Sequence, residues 1–172
     1  MLIKRCQKGD RHALEELLGR YAKPVYNVAY RILGNPDDAA DVTQVVFLKA
    51  IENLDRYKPE YRFFSWIYRI AINESINQNK RRGLQQPLSG QETYASSGPD
   101  TEAEARETSR EIQDGLMALD QNYRAVIVLR HFRGLSYQEI SDVLQLPEKT
   151  VKSRLYSARQ LMKKAMRVNG LH

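Results

Sequence analysis

Residues 134–155 read GLSYQEISDVLQLPEKTVKSRL, from Gly134 to Leu155, and this stretch decides the fold. Ser136 with Glu139 three residues on forms a capping box, which opens a helix by satisfying two free backbone N–H groups reciprocally. The helix predicted over Tyr137 to Leu144 gathers Ile140, Val143 and Leu144 on one side. A tight turn at Gln145-Leu146 follows, and Pro147-Glu148 opens a longer helix, proline being well suited to a first helical turn. A short capped helix, a brief turn and a longer helix make a helix-turn-helix. Ser141 supplies the small side chain needed where the two helices cross. Gln145 stands where such turns often carry glycine, a departure that glutamine tolerates.

The second helix of this pair has two faces. Val151, Leu155, Ala158, Met162 and Ala165 recur at helical spacing and form the seam that faces a core. Lys149, Lys152, Tyr156, Arg159 and Lys163 fall on another face, four cations and one aromatic ring on a stripe that suits the major groove. The cations would neutralise phosphates, while Ser153 and Tyr156 could reach base edges or thymine methyls. A solvated helix capping a bundle could carry the same stripe. The coincidence of capping box, small crossing residue and basic stripe favours DNA.

Working outward, Ile112, Leu116, Leu119, Val126, Ile127 and Leu129 supply apolar stripes for helices that precede the pair. The N-terminal half reads as helix throughout. Gly9-Asp10 separates a short opening helix from a long one carrying Leu14, Leu17, Leu18, Tyr21, Val25, Val28 and Ile32, in or near which Pro24 predicts a kink or break. Asn35-Pro36-Asp37-Asp38 predicts the start of a second long helix running to about Leu54. A loop over Tyr57 to Tyr61, containing Pro59, leads to a third, from about Phe63 to a Lys80-Arg81-Arg82-Gly83 stop. Residues 84–107 lose periodicity and collect Pro87, Ser89, Gly90, Ser96, Ser97, Gly98 and Pro99, which predicts a flexible tether. The expectation is therefore an all-α chain: a helical bundle over residues 1–83, a flexible linker over 84–107, and a second bundle over 108–172 that contains the helix-turn-helix.

Charge follows this division. Residues 1–83 hold 15 Lys/Arg against 10 Asp/Glu, a net of +5; residues 84–107 hold 1 against 5, or −4; residues 108–172 hold 11 against 6, again +5. Two basic modules around an acidic connector suggest polyanion binding at both ends, although solvated basic surfaces would look the same. A single Cys6 excludes an internal disulfide, and an unremarkable free thiol is its simplest reading. His12, His131 and His172 lack ligand spacing, so no metal and no cofactor are expected. No apolar run approaches the roughly 20 residues that span a bilayer, and Met1 to Asp10 reads as a charged helix rather than a signal peptide, which together predict a cytoplasmic protein without membrane insertion. No phosphate-binding glycine loop, nucleophile elbow or Cys/His pair appears, so neither an enzyme nor a small-molecule substrate is expected.

Two further surfaces stand out. On the third helix, Phe63, Ile67, Ile70 and Ala71 form a buried stripe, while Trp66, Arg69, Asn73, Asn77 and Lys80 share another face after Tyr61, Arg62, Phe63 and Phe64. Aromatics beside amides and cations suit stacking of unpaired bases. Aromatics at helical spacing also suit a core, and residue type leaves that choice open. On the second helix, Val42, Val46, Ala50 and Leu54 face inward, while Asp41, Gln44, Val45 and Leu48 make a mixed neighbouring face, which fits either a partner protein or a fully wrapped helix.

These motifs resemble, in order and across nearly the whole chain, the extracytoplasmic-function (ECF) sigma factors of bacterial RNA polymerase. Asp41 to Ala50 (DVTQVVFLKA) resembles the family's polymerase-binding helix, Phe64 to Asn73 (FSWIYRIAIN) its promoter-melting segment, and Gly134 to Ile140 with Thr150 to Leu155 its upstream-element reader. The resemblance implies a non-catalytic initiation subunit whose partners are core RNA polymerase, promoter DNA and an anti-sigma factor. It implies polymerase contacts at Asp41, Gln44 and Leu48, with Val45 standing where the family usually has glutamate. It implies minus-ten contacts at Tyr61, Arg62, Phe63, Phe64, Trp66 and Asn73, a flipped base lying in a pocket beside the loop before the third helix; Asn77 and Lys80 continue that face. It implies minus-thirty-five contacts at Arg130, Lys152, Ser153, Tyr156 and Arg159, with Lys149 on the same stripe. The acidic linker resembles the segment that threads toward the polymerase active-site and RNA-exit channels. A stand-alone helix-turn-helix regulator is the alternative, and an adaptor using both bundles for protein contacts a third reading.

Overall fold

A computed structural model describes residues 2–85 and 100–168, with side chains over 2–83 and 106–167. Helix α1 (Leu2–Gln7) ends at Lys8-Gly9, where Gly9 turns the chain with φ 84°. Asp10 then caps α2 (Arg11–Leu33), its carboxylate accepting from the Ala13 N–H at 3.1 Å and pairing with Arg5 at 2.7 Å. Those two donors hold the Asp10 carboxyl below the usual carboxylate range, the backbone N–H contributing most. The α2 helix runs on through Pro24, one helix where the proline predicts a kink or break. The Pro24 ring costs α2 one backbone bond, and burial of Val25, Val28, Ala29 and Ile32 beyond it offsets the loss.

Gly34 ends α2 in the left-handed region (φ 70°), its N–H bonding to the Tyr30 carbonyl at 2.7 Å. A Cβ there would also lie 2.7 Å from the Met117 sulfur, which would have to swing aside, so it is the left-handed backbone that favours glycine at position 34. Asn35 caps α3 (Pro36–Glu52) by accepting from the Asp37 and Asp38 N–H groups at 2.9 and 3.0 Å, as the start signal predicts. A short 3-10 turn (Leu54–Arg56) and an irregular segment lead into α4 (Phe63–Gln85), which carries two residues past the glycine stop expected at Gly83. Together α2, α3 and α4 make the first bundle.

Helix α5 (Asp100–Met117) begins inside the span expected to be linker. The sequence DTEAEARE over 100–107 has neither glycine nor proline and is rich in Ala and Glu, strong helix formers, so propensity wins there. The rest of the expected linker, 86–99, lies outside the described residues. Helix α6 (Gln121–Ile127) continues into a π-helical turn (Val128–Phe132), followed by α7 (Tyr137–Leu144) and α8 (Glu148–Val168). No strand occurs among the described residues.

The two bundles pack against one another and share a core that runs from Val28 and Ile32 of α2 through Leu116 and Leu129 to Ile140 and Leu155. Arginines make the join. Arg124, 5% exposed, donates through Nε to the Leu116 carbonyl (2.8 Å), through Nη2 to Met117 and Leu119 (3.1 and 2.9 Å), and through Nη1 to the Ile32 carbonyl. Burial pushes its pKa down. One guanidinium thus satisfies the terminal carbonyls of two helices from different bundles, groups that would be costly to bury unpaired. Arg31 adds a bond to Gln113 at 3.1 Å and lies 4.5 Å from the Phe132 ring centroid. Arg69 donates to the Asp142 and Val143 carbonyls at the end of α7 (2.5 and 3.3 Å), and Arg133 donates to the Tyr68 hydroxyl at 3.1 Å.

Candidate nucleic-acid interface

The helix-turn-helix forms as its residues predict. The Ser136 hydroxyl accepts from the Glu139 N–H at 3.1 Å, and the Glu139 carboxylate accepts from the Ser136 N–H at 2.8 Å. The turn depends on Gln145, the one described residue other than glycine with positive φ (54°). Its side-chain amide donates back to the Asp142 carbonyl at 3.0 Å, and the Ser141 hydroxyl donates across the turn to the Leu146 carbonyl. Val151, Leu155 and Ala158 of α8 are then fully buried, which turns the opposite face outward.

On that outward face Lys149, Lys152, Ser153, Tyr156, Arg159 and Lys163 are all exposed, Tyr156 to 67%. Neighbours organise the stripe. Arg130 donates to the Leu135 carbonyl at 2.8 Å and lies 4.9 Å from the centroid of the Tyr137 ring, while Lys152 lies 5.5 Å from the same centroid and pairs with Glu148 at 3.1 Å. Arg159 Nε donates to His131 Nε2 at 3.2 Å. Burial, then the charges of Arg159 and Arg130, push the His131 imidazole down, which keeps it a neutral acceptor.

The first bundle presents a pocket. Phe63 is buried and packs edge-on against Tyr21 and Tyr57 (5.2 and 5.5 Å between centroids) and at a tilt against Trp66 (5.4 Å). This cluster sets Trp66, half-buried, at the side of an open pocket of about 300 Å³ lined by Lys49, Asn53, Arg56, Trp66, Ile70, Asn73 and Glu74. Glu74 is nine-tenths buried and pairs with Lys49 Nζ at 2.5 Å. An aromatic wall, two amides, an acceptor, two cations and one apolar side chain form a chemical set suited to one nucleobase and its phosphate.

A third surface lies on α3. Asp41 and Gln44 are exposed beside Val45 (37%), Leu48 (61%) and Ile51 (41%), while Val42, Val46 and Ala50 are buried. The helix is therefore not fully wrapped: an apolar strip edged with polar groups remains uncovered.

Comparison with known proteins follows the same division. Residues 17–84 match the Sigma-70 region 2 family, and residues 109–162 match Sigma-70 region 4. The ECF RNA polymerase sigma factor SigW of Bacillus subtilis is 32% identical over 177 residues, covering 96% of this chain and 95% of that protein. This chain belongs to the ECF RNA polymerase sigma factors. The ECF sigma-E factor of Escherichia coli is likewise 32% identical, over 93% of this chain and 90% of its own length. Among solved structures, CnrH in complex with the cytosolic domain of CnrY superposes with a TM-score of 0.77 at 25% identity, covering 98% and 97% of the two chains. The sigma factor RpoE of Bartonella quintana, solved with the anti-sigma factor NepR, shares the fold at a TM-score of 0.71 and 21% identity.

Within this sigma factor the expected site residues do not all converge. Lys149, Lys152, Ser153, Tyr156 and Arg159 share one exposed face with Arg130 at its edge. Trp66 and Asn73 meet in the pocket, and Asn77 and Lys80 extend exposed along the same helix. Tyr61 is 48% exposed before α4. Phe63, by contrast, lies in the core behind Trp66 and positions it. Phe64 packs on Tyr68 at 6.2 Å, away from the pocket, and the exposed Arg62 pairs through Nη1 with Glu139 of the helix-turn-helix at 2.9 Å. Lys49, Asn53, Arg56, Glu74 and Tyr137 were absent from the sequence expectation. The spacing of Lys49, Asn53 and Arg56 marks one helical face, but only packing of α3 on α4 sets it opposite Trp66. No group among the described residues could hold a metal ion, and no described helix is long and apolar enough to cross a membrane.

Proposed function

We propose that this sigma factor binds core RNA polymerase through the α3 strip of Asp41, Gln44, Val45 and Leu48, extended by Ile51, and holds promoter DNA at two places. The α8 face, with Lys149, Lys152, Ser153, Tyr156, Arg159 and the flanking Arg130, reads the duplex minus-thirty-five element. The α3–α4 pocket, with Trp66 and Asn73 inside, Tyr61, Arg62, Asn77 and Lys80 around it, and Phe63 and Phe64 as support, takes an unpaired base of the minus-ten element. Residues 1–83 and 108–172 are the two working modules, with α5 reaching back into the 84–107 connector. The chain performs no chemistry of its own; it works with the polymerase, in the cytoplasm. An anti-sigma factor covering the apolar α3 strip is the expected regulator, a reading supported by the exposure of that strip.

The observation that carries this reading is the coincidence of two interfaces of different chemistry in one ECF chain: a solvated cationic stripe for duplex phosphates and an aromatic, amide-lined pocket for a single base. Transcription by purified core polymerase on a library of promoter fragments tests it. Start sites that appear only when the chain is added are expected, and a K152A/R159A double variant should lose most of that activity. Failure of the purified chain to associate with core polymerase, or association that directs no start site, would overturn the assignment. Tight sequence-specific duplex binding by the isolated chain would instead favour a stand-alone regulator.

A further inference from the structure

Glu74 is out of place by electrostatics alone. A pocket for DNA, a polyanion, carries a carboxylate in its wall, 10% exposed and held by Lys49 at 2.5 Å. As a brace between α3 and α4 this ion pair is a poor choice, because burying the Glu74 carboxylate offsets much of its attraction to a Lys49 that stays half exposed, and an apolar pair packs as well. The arrangement makes sense if the carboxylate has a second task. Lys49 engages Oε1 and balances the charge, and among the described residues Oε2 has no hydrogen-bond donor. Asn73 on the preceding position and Trp66 two turns earlier line the same space, so a base stacked beside the indole would present its edge to an amide and a carboxylate together.

We infer that Glu74 determines base specificity in this pocket: it accepts a hydrogen bond from an amino-bearing base and excludes thymine. The inference rests on the pocket being the minus-ten base site. A carboxylate only accepts, and it pairs with the exocyclic amino group of cytosine in direct readout. Adenine offers N6–H₂ and guanine N1–H with N2–H₂ to the same acceptor. Thymine has one donor, N3–H, flanked by two carbonyl oxygens, so any approach of its edge to Glu74 sets oxygen against anionic oxygen. Asn73 can donate or accept and adapts to the remainder of the edge. Lys49 is the positioning residue, and Arg56 at the rim is placed to meet the phosphate of the captured nucleotide.

The test uses holoenzyme assembled from this chain and core polymerase, with fluorescent single-stranded DNA. Selection from a randomised strand should show one position depleted of thymine. At that position 5-methylcytosine, which has the methyl group of thymine but an amino group in place of its O4, should bind about tenfold more tightly than thymine. The Glu74→Gln variant, equal in size and able to donate as well as accept, should abolish that discrimination while leaving preferences elsewhere in the strand unchanged. Equal affinity of wild-type holoenzyme for the two strands, or full discrimination retained by E74Q, would overturn the inference; the wild-type comparison needs no variant to fold. Trp66→Ala separates the two levels. If W66A weakens capture while Glu74 proves indifferent to the base, only the specificity role falls; if W66A captures single strands as well as wild type, the pocket reading falls with it.

Discussion

The α8 face and the α3–α4 pocket, which we propose hold the same promoter, are built in opposite ways. Every cation of the α8 stripe except Arg130 comes from one helix, and each is exposed because its neighbours Val151, Leu155 and Ala158 are buried. The pocket draws on two helices and the turn between them, and its wall includes a nine-tenths buried carboxylate. A duplex offers regularly spaced phosphates, which a single periodic helix can match; an unpaired base offers one flat ring with a distinctive edge, which needs walls from several directions. Periodic targets can be met by local structure, singular ones only by tertiary structure.

That contrast can be broken or sharpened by substitution. The largest effect is expected at Arg124, whose guanidinium supports both bundles. Arg124→Ala leaves the Ile32, Leu116, Met117 and Leu119 carbonyls without their donor and should cost about 3 kcal/mol in chemical denaturation, weakening both interfaces at once. Next is Trp66→Ala, which should weaken single-strand capture by holoenzyme by about 1–3 kcal/mol and leave affinity for minus-thirty-five duplex unchanged. The double variant K152A/R159A should do the reverse, flattening the dependence of log K on log salt by roughly two units with single-strand capture intact. If either set crosses over, the two sites are not separate.

Smaller effects probe the scaffold of α8. Gln145 sits in the left-handed region, so Gln145→Gly should relieve about 1 kcal/mol of strain, partly offset by the lost bond to the Asp142 carbonyl, and raise the melting temperature slightly. His131 is held neutral against Arg159 and Arg130. With its folded pKa below the ordinary imidazole range, the unfolded chain binds the proton more readily. Its contribution is present above that range and is lost as pH falls through the folded pKa. Melting temperature should therefore decline slightly with acidification, and a His131→Gln variant should show less of that decline.

Much of the fold is legible because its signals are local. The Asn35-Pro36 cap, the Ser136–Glu139 box and the inward seam of α8 depend on residues within a turn or two of each other, and each appears where the spacing predicts. Elsewhere a local signal is outweighed or ambiguous. Pro24 does not end α2 because the apolar residues beyond it are buried. The glycine and proline of the connector obscure the helix-forming run after Pro99. Phe63 carries both a core and a base-stacking signature, and only its neighbours Tyr21 and Tyr57 decide for the core.

By itself, the sequence of this sigma factor determined the helical class, the two-module plan, the helix-turn-helix and the cationic face of α8, because hydrophobic period, capping chemistry and charge placement act over a few residues. Tertiary structure alone decided that Lys49, Asn53, Arg56 and Glu74 join Trp66 and Asn73 around one pocket, that Arg62 pairs with Glu139, and that Arg124 binds carbonyls from both bundles. The bonds Lys49–Glu74, Arg62–Glu139 and Arg124–Ile32 join residues 25, 77 and 92 positions apart. Over such separations the partner is chosen by how helices pack, and no periodicity in the chain encodes that choice.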